Sequence, residues 1–406
     1  MAIADAHAVL HGDRAGGTVI AADLDADGRD EVVLGMGDGP SSGAVLVARS
    51  AADGRLDPVA TWGGLTAGDH AGYALAAGDL DGDGDRDLLV GAYGADLAAE
   101  DGGATFPLVT PFDGGPLPSD LAFADPSAGD QAGVGVAVLG DGVAVGACME
   151  DSGGEDAGAV FVGPAGLTSP AASTAFVVGE HPGDFAGANV AAADVDGDGV
   201  DDLLVSAWLE DAGGEDAGAA YLLLGRVDAT VSLADADAKL VGETAGDFAG
   251  SPCDARADLT GDGTPDLVLG AWLNDTGGAD AGSVYVVSGT VRGLLALADA
   301  DAIVRGDEPG AHLAVVPAGA GDVDRDGQED LLVGAPDAAG SAGAAWLVYG
   351  PVGGAYLEPD VRIHGGEAGE RAGVGVALGD LDGDATGDLV IGLAAGAAAV
   401  FYGARL

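Results

Sequence analysis

Short apolar runs rich in Val, Leu and Ala alternate with Gly- and Asp-rich polar stretches along the whole chain. No segment sustains the 3.6-residue period of an amphipathic helix, and none approaches the 18 apolar residues that a membrane-spanning helix needs. One unit shows the order of parts: runs 187–193, 203–208, 218–224 and 239–241 are separated by turn residues. This order predicts four short strands per unit.

A nine-residue aspartate loop separates the first and second runs of most units. Its copies start at residues 23, 79, 194, 258, 322 and 380, which are 56 to 64 residues apart except for one gap of 115. That gap hides a seventh unit around Val134, whose loop has shrunk to Asp141-Gly142, a dipeptide that favours a tight hairpin turn. Seven units of four strands are typical of a β-propeller. Solenoids are the competing repeat class, but they usually have shorter periods or helices.

The two ends of the chain predict how the ring closes. The last unit stops after its third run, 396–402, whereas residues 7–11 read like the fourth run at 361–366. We therefore expect residues 7–11 to complete the last blade, which removes open sheet edges. The sequence predicts an all-β fold: one domain over 1–406, a seven-bladed β-propeller of four-stranded antiparallel blades. The predicted repeat cores are 14–62, 69–124, 130–179, 184–242, 247–305, 310–364 and 370–403.

The aspartate loops have the composition of calcium sites. Positions 1, 3 and 5 are carboxylates except for Thr260, position 9 is always Asp or Glu, and position 6 is Gly except for Ala385. Calcium takes six to eight oxygens, and such close carboxylates repel each other unless a cation lies among them. The variable position 7 is expected to offer its backbone carbonyl. We predict about six Ca²⁺ ions, one per loop.

The predicted metal ligands are Asp23, Asp25, Asp27, Arg29 and Glu31; Asp79, Asp81, Asp83, Asp85 and Asp87; Asp194, Asp196, Asp198, Val200 and Asp202; Asp258, Thr260, Asp262, Thr264 and Asp266; Asp322, Asp324, Asp326, Gln328 and Asp330; and Asp380, Asp382, Asp384, Thr386 and Asp388. A single Asp-Gly run would be only a polar turn, but six copies with fixed positions favour metal. An EF-hand is excluded, because it needs flanking helices and an acid at position 12, where this chain has residues such as Leu34 and Val205. Thr260 predicts a weaker site, and Ala385 carries a cost if its φ is positive.

The net charge of the chain limits the classes of partner that are expected. There are 68 acidic residues against 14 basic ones, a formal net charge of −54, which excludes nucleic acid and anionic lipid as partners. Part of this acidity is also explicable as adaptation to salt. Cys148 and Cys253 form no disulfide framework and are expected to be buried small residues. The first residues show no basic segment followed by an apolar core, so no signal peptide is predicted in this chain.

These features resemble the FG-GAP repeat family, the propeller of integrin α chains and related bacterial surface proteins. The Phe-Gly element is read in Phe185-Ala-Gly187 and Phe248-Ala-Gly250, and the Gly-Ala-Pro element in Gly334-Ala-Pro336. The resemblance implies a cell-surface or extracellular location, with ions on the lower rim and a protein or glycan partner on the upper face. Family members usually have three or four loops, whereas this chain has six. The Phe position is occupied elsewhere by Arg14, His70, Gln131, Ala311 and Arg371, so an integrin β-like partner is not implied.

The loops between second and third strands should lie on the face opposite the aspartate loops. They repeat an acidic pattern that includes Asp151, Asp211 and Asp275, and the turns leading into the blades share this face. Those turns contribute Asp69, Asp130, Asp184, Asp247 and Glu370. One interpretation is an acidic rim whose Asp residues tie turns together. The other is a recognition face for a basic or cation-bridged ligand, with Trp208 and Trp272 as contacts.

Two functions follow from this pattern. The first is a non-enzymatic binding or adhesion module, stiffened by calcium. The second is a propeller enzyme, or an accessory domain of a hydrolase or lyase. His70, His181 and His312 show no metal-ligand spacing and no Ser or Cys partner motif, so the sequence predicts no catalytic residue and favours the binding module.

Overall fold

The computed structural model describes residues 1–11, 17–37, 42–51, 54–119, 122–140, 142–314, 321–394 and 396–405. Within these residues the fold is built from short β-strands in seven sheets, with one four-residue helix, Ala338–Ser341, and single 3-10 turns. The predicted all-β, seven-bladed propeller is therefore confirmed. Position 14, where the sequence predicted the first repeat core to begin, lies outside the described residues.

Blades 1 to 6 each take their antiparallel strands from one repeat in sequence order, whereas blade 7 takes its outer strand from the N-terminal residues. Blade 1 contains Thr18–Ala22, Glu31–Gly35, Ala44–Ser50 and Leu56–Gly63; blade 2 contains Leu75–Gly78, Asp87–Ala92, Ala104–Leu108 and Phe123–Ala124; blade 3 contains Ala132–Leu139, Gly142–Ala147, Ala159–Gly163 and Ala175–Val178; blade 4 contains Ala186–Ala193, Asp202–Ala207, Ala219–Leu223 and Ala238–Val241. Blade 5 contains Ala249–Ala257, Asp266–Ala271, Ser283–Ser288 and Ala302–Arg305; blade 6 contains Leu331–Ala335, Ala344–Val348 and Val361–His364; blade 7 contains Val376–Gly379, Asp388–Leu393, Ala397–Phe401 and Ala8–His11.

The ring closes between the two ends of the chain, as predicted. Ala8–His11 pairs antiparallel with Ala397–Phe401, in a register that places Ala8 opposite Val400. The N–H of His7 also donates to the carbonyl of Val400 at 2.8 Å. Blade 7 therefore joins strands that are almost the whole chain apart, so its formation requires both ends.

Four blades also carry a fifth, parallel strand that the sequence did not predict. Gly115–Pro116 pairs with blade 1, Thr230–Ser232 with blade 3, Gly293–Ala296 with blade 4 and Gly354–Leu357 with blade 5. Each comes from the connection between third and fourth strands of the following blade, so it ties neighbours together at the outer edge. These strands are short and partly exposed, and therefore lack the apolar run that marks the others.

The core consists of seven apolar clusters, each between two neighbouring blades. Val45 of blade 1 packs in one cluster with Leu88 of blade 2, and Val400 of blade 7 packs in another with Val32 of blade 1. Second strands such as Asp87–Ala92 are buried at every residue. Because each blade faces a neighbour on both sides, period-two alternation is lost in these strands.

The hairpin of blade 3, which lacks an aspartate loop, differs in detail from the prediction. Gly142 is not a turn residue: it begins the strand Gly142–Ala147 and pairs with Leu139. Asp141, the other residue of the predicted turn, lies outside the described residues.

The two cysteines are free thiols, as expected from their number. Cys148 is buried, whereas Cys253 is only half-buried, so the expectation of two buried cysteines is right for Cys148 alone. Burial raises the pKa of the Cys148 thiol to about 12, which keeps it protonated and unreactive at neutral pH.

Candidate metal centres and the opposite face

Six aspartate loops connect first and second strands on one rim of the ring. In five loops the position-9 acid is the first residue of the second strand, and Asp330 immediately precedes Leu331–Ala335. These acids are at most 1% exposed, because they enter the buried strand. The position-9 side chain thus lies on the buried side of each loop, whereas the side chains at positions 3 and 5 lie towards the solvent.

At least four of the described loops bring three carboxylates within 4.8 Å of one another, measured between candidate ligand oxygens. The groups are Asp23, Asp25 and Asp27; Asp79, Asp81 and Asp87; Asp194, Asp196 and Asp202; and Asp322, Asp324 and Asp330. Hard oxygen donors in this density are what Ca²⁺ prefers. The arrangement is able to hold a cation, and the individual ligands, including the carbonyl at position 7, stay predictions.

Backbone hydrogen bonds hold the carboxylates in place. In blade 4, Asp194 accepts from the N–H of Gly199 at 2.8 Å, and Asp198 accepts from Val200 at 2.8 Å. The buried Asp202 accepts from the N–H of Val195 at 2.9 Å. The same three bonds, from positions 6, 7 and 2 to positions 1, 5 and 9, recur in the other five loops. The loops are therefore shaped for ligation by their own backbone.

Position 6 requires a left-handed backbone. Gly28, Gly199 and Gly327 have φ of +86°, +89° and +88°, and Ala385 has φ of +63° at the same position. The predicted cost at Ala385 is therefore present, since a Cβ is disfavoured there. Position 4 is also left-handed, with φ of +65° at Arg325, a requirement that the sequence analysis missed.

Burial makes the position-9 carboxylates costly to ionise. It raises the pKa of Asp266 and Asp330 to about 6 and that of Asp388 to about 7, and neighbouring loop carboxylates raise each further. A cation among these oxygens would favour the ionised form. The electrostatics of the loops thus favour binding of a positive charge.

Neutral and cationic side chains already contact some loops. In the fifth-blade loop, Thr260 Oγ1 donates to Asp266 at 3.1 Å and Ser288 Oγ donates to Asp262 at 2.8 Å. In the first loop, the Arg49 guanidinium bridges Asp25 and Glu31, with Nε 2.8 Å from Glu31 Oε1. Both features compete with a metal ion, and the contact of Arg49 has no signal in the loop sequence.

Position 8 links neighbouring loops and was not predicted to have a role. Asp30 accepts from the N–H of Asp380 at 2.8 Å, and Glu329 accepts from that of Asp258 at 2.6 Å. Asp201 does the same for Gly140 of the shortened hairpin, at 2.6 Å. These acids fasten the start of one loop to the next blade and do not point into their own site.

On the opposite face, the repeated acidic loops hold themselves together. Asp151 accepts from the N–H of Asp156 at 2.9 Å, and Asp211 does so from Asp216 at 2.9 Å. Asp275 bonds to Asp280 in the same way, at 2.8 Å. These aspartates are turn-forming residues, which agrees with the interpretation that they tie turns together.

An arc of aromatic rings, packed mostly edge to face, lies on the same face. It runs Phe185, Trp208, Phe248, Trp272 and His312, with successive ring centroids 6.0, 5.2, 5.6 and 5.5 Å apart. Trp208 and Trp272 also line a cavity of about 460 Å³ whose other wall includes Tyr73 and Tyr93. Blade 2 carries a separate ring pair at the equivalent positions, His70 and Tyr93, with centroids 4.5 Å apart.

The structure corrects one residue of the Phe position. His312, not Ala311, occupies it in blade 6, because His312 has φ of +54° and Phe185 and Phe248 have +56° and +55°. The same left-handed backbone occurs at His70, Gln131 and Arg371, as expected, and Arg14 lies outside the described residues. The shift by one residue adds a histidine ring to the arc.

Two histidines on this face have structural contacts. His70 Nδ1 lies 2.8 Å from the carbonyl oxygen of Gly37, and its ring stacks on Tyr93 at 4.5 Å. His312 Nδ1 lies 2.8 Å from Asp337 Oδ2. Both rings are held by packing and hydrogen bonds, and these contacts include no Ser or Cys nucleophile.

The fold and the loops define a repeat propeller with candidate cation sites on one rim, and comparison with known proteins agrees. A family model of the FG-GAP-like repeat matches residues 11–90, and the FG-GAP repeat matches 186–223 and 318–348. The chain contains FG-GAP repeats folded as an integrin α-like seven-bladed β-propeller, which confirms the resemblance predicted from the sequence.

The chain is also similar to an integrin α chain in sequence and to a solved structure in fold. Integrin alpha-PS5 of Drosophila melanogaster is 35% identical over 167 residues, which are 39% of this chain and 16% of that protein, so the chain spans well under two thirds of its length. The crystal structure of BBS1N in complex with ARL6DN, soaked with lead, has a TM-score of 0.50 and 11% identity, covering 95% of this chain and 91% of that one. The second likeness concerns the fold alone. Among the described residues, no helix has the length and apolar character to span a membrane.

Proposed function

We propose that this chain is a calcium-binding β-propeller and serves as a non-enzymatic binding or adhesion module. Calcium in the six aspartate loops stiffens one rim, and a protein or glycan partner binds the opposite face. The observation that carries the proposal is the set of three backbone hydrogen bonds repeated in six loops, together with the three carboxylates that lie within 4.8 Å of one another in at least four of them. An extracellular or cell-surface location follows from the similarity to an integrin α chain.

The calcium part is tested by calorimetric titration of calcium-free protein. We expect saturable binding of about six ions, with weaker binding at the loops that contain Thr260 and Ala385 and at the first loop, which Arg49 contacts. Asp196→Asn with Asp198→Asn should remove one ion from the stoichiometry, because two charged ligands are lost. Glu155→Gln, which neutralises an exposed acid on the opposite face, is the matched control and should leave the stoichiometry unchanged. Absence of saturable binding would contradict the proposal.

The partner part rests on the half-buried rings of Trp208 and Trp272 beside the cavity. Aromatic surfaces of this kind are common anchors in binding interfaces. A partner captured by the native chain in calcium should be lost from Trp208→Ala with Trp272→Ala. The Asp151→Asn variant, which alters a turn on the same face, should retain that partner. Equal retention by both variants would place recognition elsewhere.

A further inference from the structure

A second acidic cluster lies at blade 4, on the face opposite the aspartate loops. Glu180 and His181 come from the turn leading into this blade, and Glu210 comes from the loop between its second and third strands. Their ligand-type atoms, two carboxylate oxygens and an imidazole nitrogen, lie within 4.8 Å of one another. Asp184 completes the group, with Oδ2 3.5 Å from His181 Nδ1.

Asp184 is the unusual member of this cluster. The residue is only 4% exposed, and its Oδ2 is enclosed without a hydrogen-bond partner. A buried oxygen of this kind loses its water without compensation, which is unfavourable, and more so when the group is charged. Beyond the 3.5 Å contact with His181, which is not a hydrogen bond, a buried carboxylate in this position favours a further partner of positive character.

The next blade shows how the same position is normally satisfied. There Asp247 accepts from Thr244 Oγ1 at 2.8 Å and from Asn274 Nδ2 at 2.9 Å. Blade 4 has His181 in place of that threonine and Glu210 in place of that asparagine. An ionised glutamate has no proton to donate, so the amide's bond to the aspartate is lost and a second carboxylate takes its place.

The net negative charge of this cluster favours binding of a divalent cation. Glu180, Asp184 and Glu210 contribute three negative charges, and the chain's sole lysine, Lys239, contributes one positive charge through contacts of 2.7 Å to Glu180 and 2.8 Å to Glu210. Glu180 also accepts from the Tyr221 hydroxyl at 2.6 Å, and Glu210 accepts from the N–H of Ala212 at 2.9 Å. Each carboxylate has about four lone-pair positions, so these contacts still leave lone pairs available. One divalent cation would neutralise the remaining two charges.

We propose that Glu180, His181, Asp184 and Glu210 form a binding site for a divalent transition-metal ion of the zinc class, separate from the calcium loops. An imidazole nitrogen with carboxylate oxygens suits zinc, whereas calcium is bound through oxygens alone. The site adjoins the aromatic arc, since the N–H of Leu209, next to Trp208, donates to the carbonyl of Asp184 at 3.4 Å. A metal here would order the edge of the proposed recognition face.

The test is calorimetric titration of Zn²⁺ into the chain held in excess calcium, so that the loops are occupied. The wild-type chain should bind one zinc ion. His181→Thr with Glu210→Asn installs the pair that blade 5 carries and should weaken zinc binding by at least about 100-fold, because two ligands are lost. Glu215→Gln removes the same charge at an exposed position of the same loop, and it should bind zinc like the wild type.

The unfolding midpoint separates loss of the site from loss of the fold. Without zinc, the double variant should unfold at or above the wild-type temperature, because Asp184 regains hydrogen-bond donors. Added zinc should raise the midpoint of the wild type and of Glu215→Gln only. His181→Thr alone, which leaves every carboxylate in place, is a second variant and should also lose zinc. Zinc binding by the double variant as tight as by the wild type, or no single zinc site in the wild type, would overturn the proposal.

Discussion

The two faces of the ring are built by the same seven repeats but differ in how strictly the repeats agree. On the aspartate-loop rim, the same three backbone hydrogen bonds recur in six loops, and position 9 is always a buried acid. On the opposite face, equivalent positions vary: Phe185 in one blade corresponds to Gln131 in another and to Arg371 in a third. The backbone conformation there is constant, whereas the side chain is not.

This difference distinguishes a rim suited to a structural role from a face suited to recognition. A rim that repeats its charge, its turn and its hydrogen bonds does the same physical task in every blade, which is to hold carboxylates together. A face that keeps the turn but changes the side chain presents a different surface at each blade. Partner choice is therefore expected on the variable face, and ion-dependent stability on the constant rim.

Removal of calcium should produce the largest effect and act through the rim alone. Ligands that bind only the folded state stabilise it by mass action, about 2.7 kcal/mol per site at 100 times the dissociation constant. We expect chelation to lower the unfolding midpoint by about 10 °C or more. Calorimetry or circular dichroism with and without chelator measures this.

A salt control sharpens that result. High sodium chloride without calcium should restore little of the lost midpoint, because a diffuse counter-ion cannot replace a ligated one. Full recovery in sodium chloride would instead favour general salt adaptation of the acidic surface, and the structural role of the loops would then be wrong.

The pH dependence should reverse with calcium. Burial raises the pKa of Asp330 to about 6 and of Asp388 to about 7, above the value of about 3.9 in an unfolded chain. The folded, calcium-free protein therefore holds more protons than the unfolded chain between these values. Its stability should fall as pH rises from about 4 to 7, by roughly 5 °C in midpoint.

With calcium bound, the same carboxylates must be deprotonated to act as ligands, so stability should rise over that pH range. Thermal unfolding across pH in both states measures the two slopes. Parallel slopes would show that these buried acids do not contact the ion.

The smallest effect concerns two loops that differ at position 6. Ala385→Gly should raise the free energy of unfolding by about 0.5–1 kcal/mol, because it relieves a left-handed alanine. Gly327→Ala should lower it by a similar amount, since an added Cβ would meet no atom within 4 Å and only the backbone is strained. Urea unfolding in calcium measures both, and equal stability of all three proteins would show that position 6 is under no strain.

The regular features of the fold were predictable because the same sequence pattern recurs in each repeat. Six copies of one loop predicted the candidate ligands, and the match between residues 7–11 and 361–366 predicted the closing strand that pairs Ala8 with Val400. The requirement for glycine at position 6 was also predictable, since glycine tolerates positive φ and Ala385 stood out as the exception.

Contacts between repeats were not predictable in the same way. The fifth strands and the bond from Asp30 to the loop of blade 7 join residues of different repeats. The Arg49 bridge lies within one repeat, but it too occurs at a position with no repeated signal. The Phe position of blade 6 was assigned one residue too early, because only the φ of His312 identifies it.

The sequence by itself determined the number of blades, the strand order and the aspartate loops that are the candidate metal centres, because these are local patterns repeated every sixty or so residues. The tertiary structure decided which acids lack a partner. Asp184 and Asp247 belong to similar turns, yet only the fold shows that Glu210 faces one and Asn274 the other. A buried carboxylate is defined by what surrounds it, and its surroundings come from other parts of the chain.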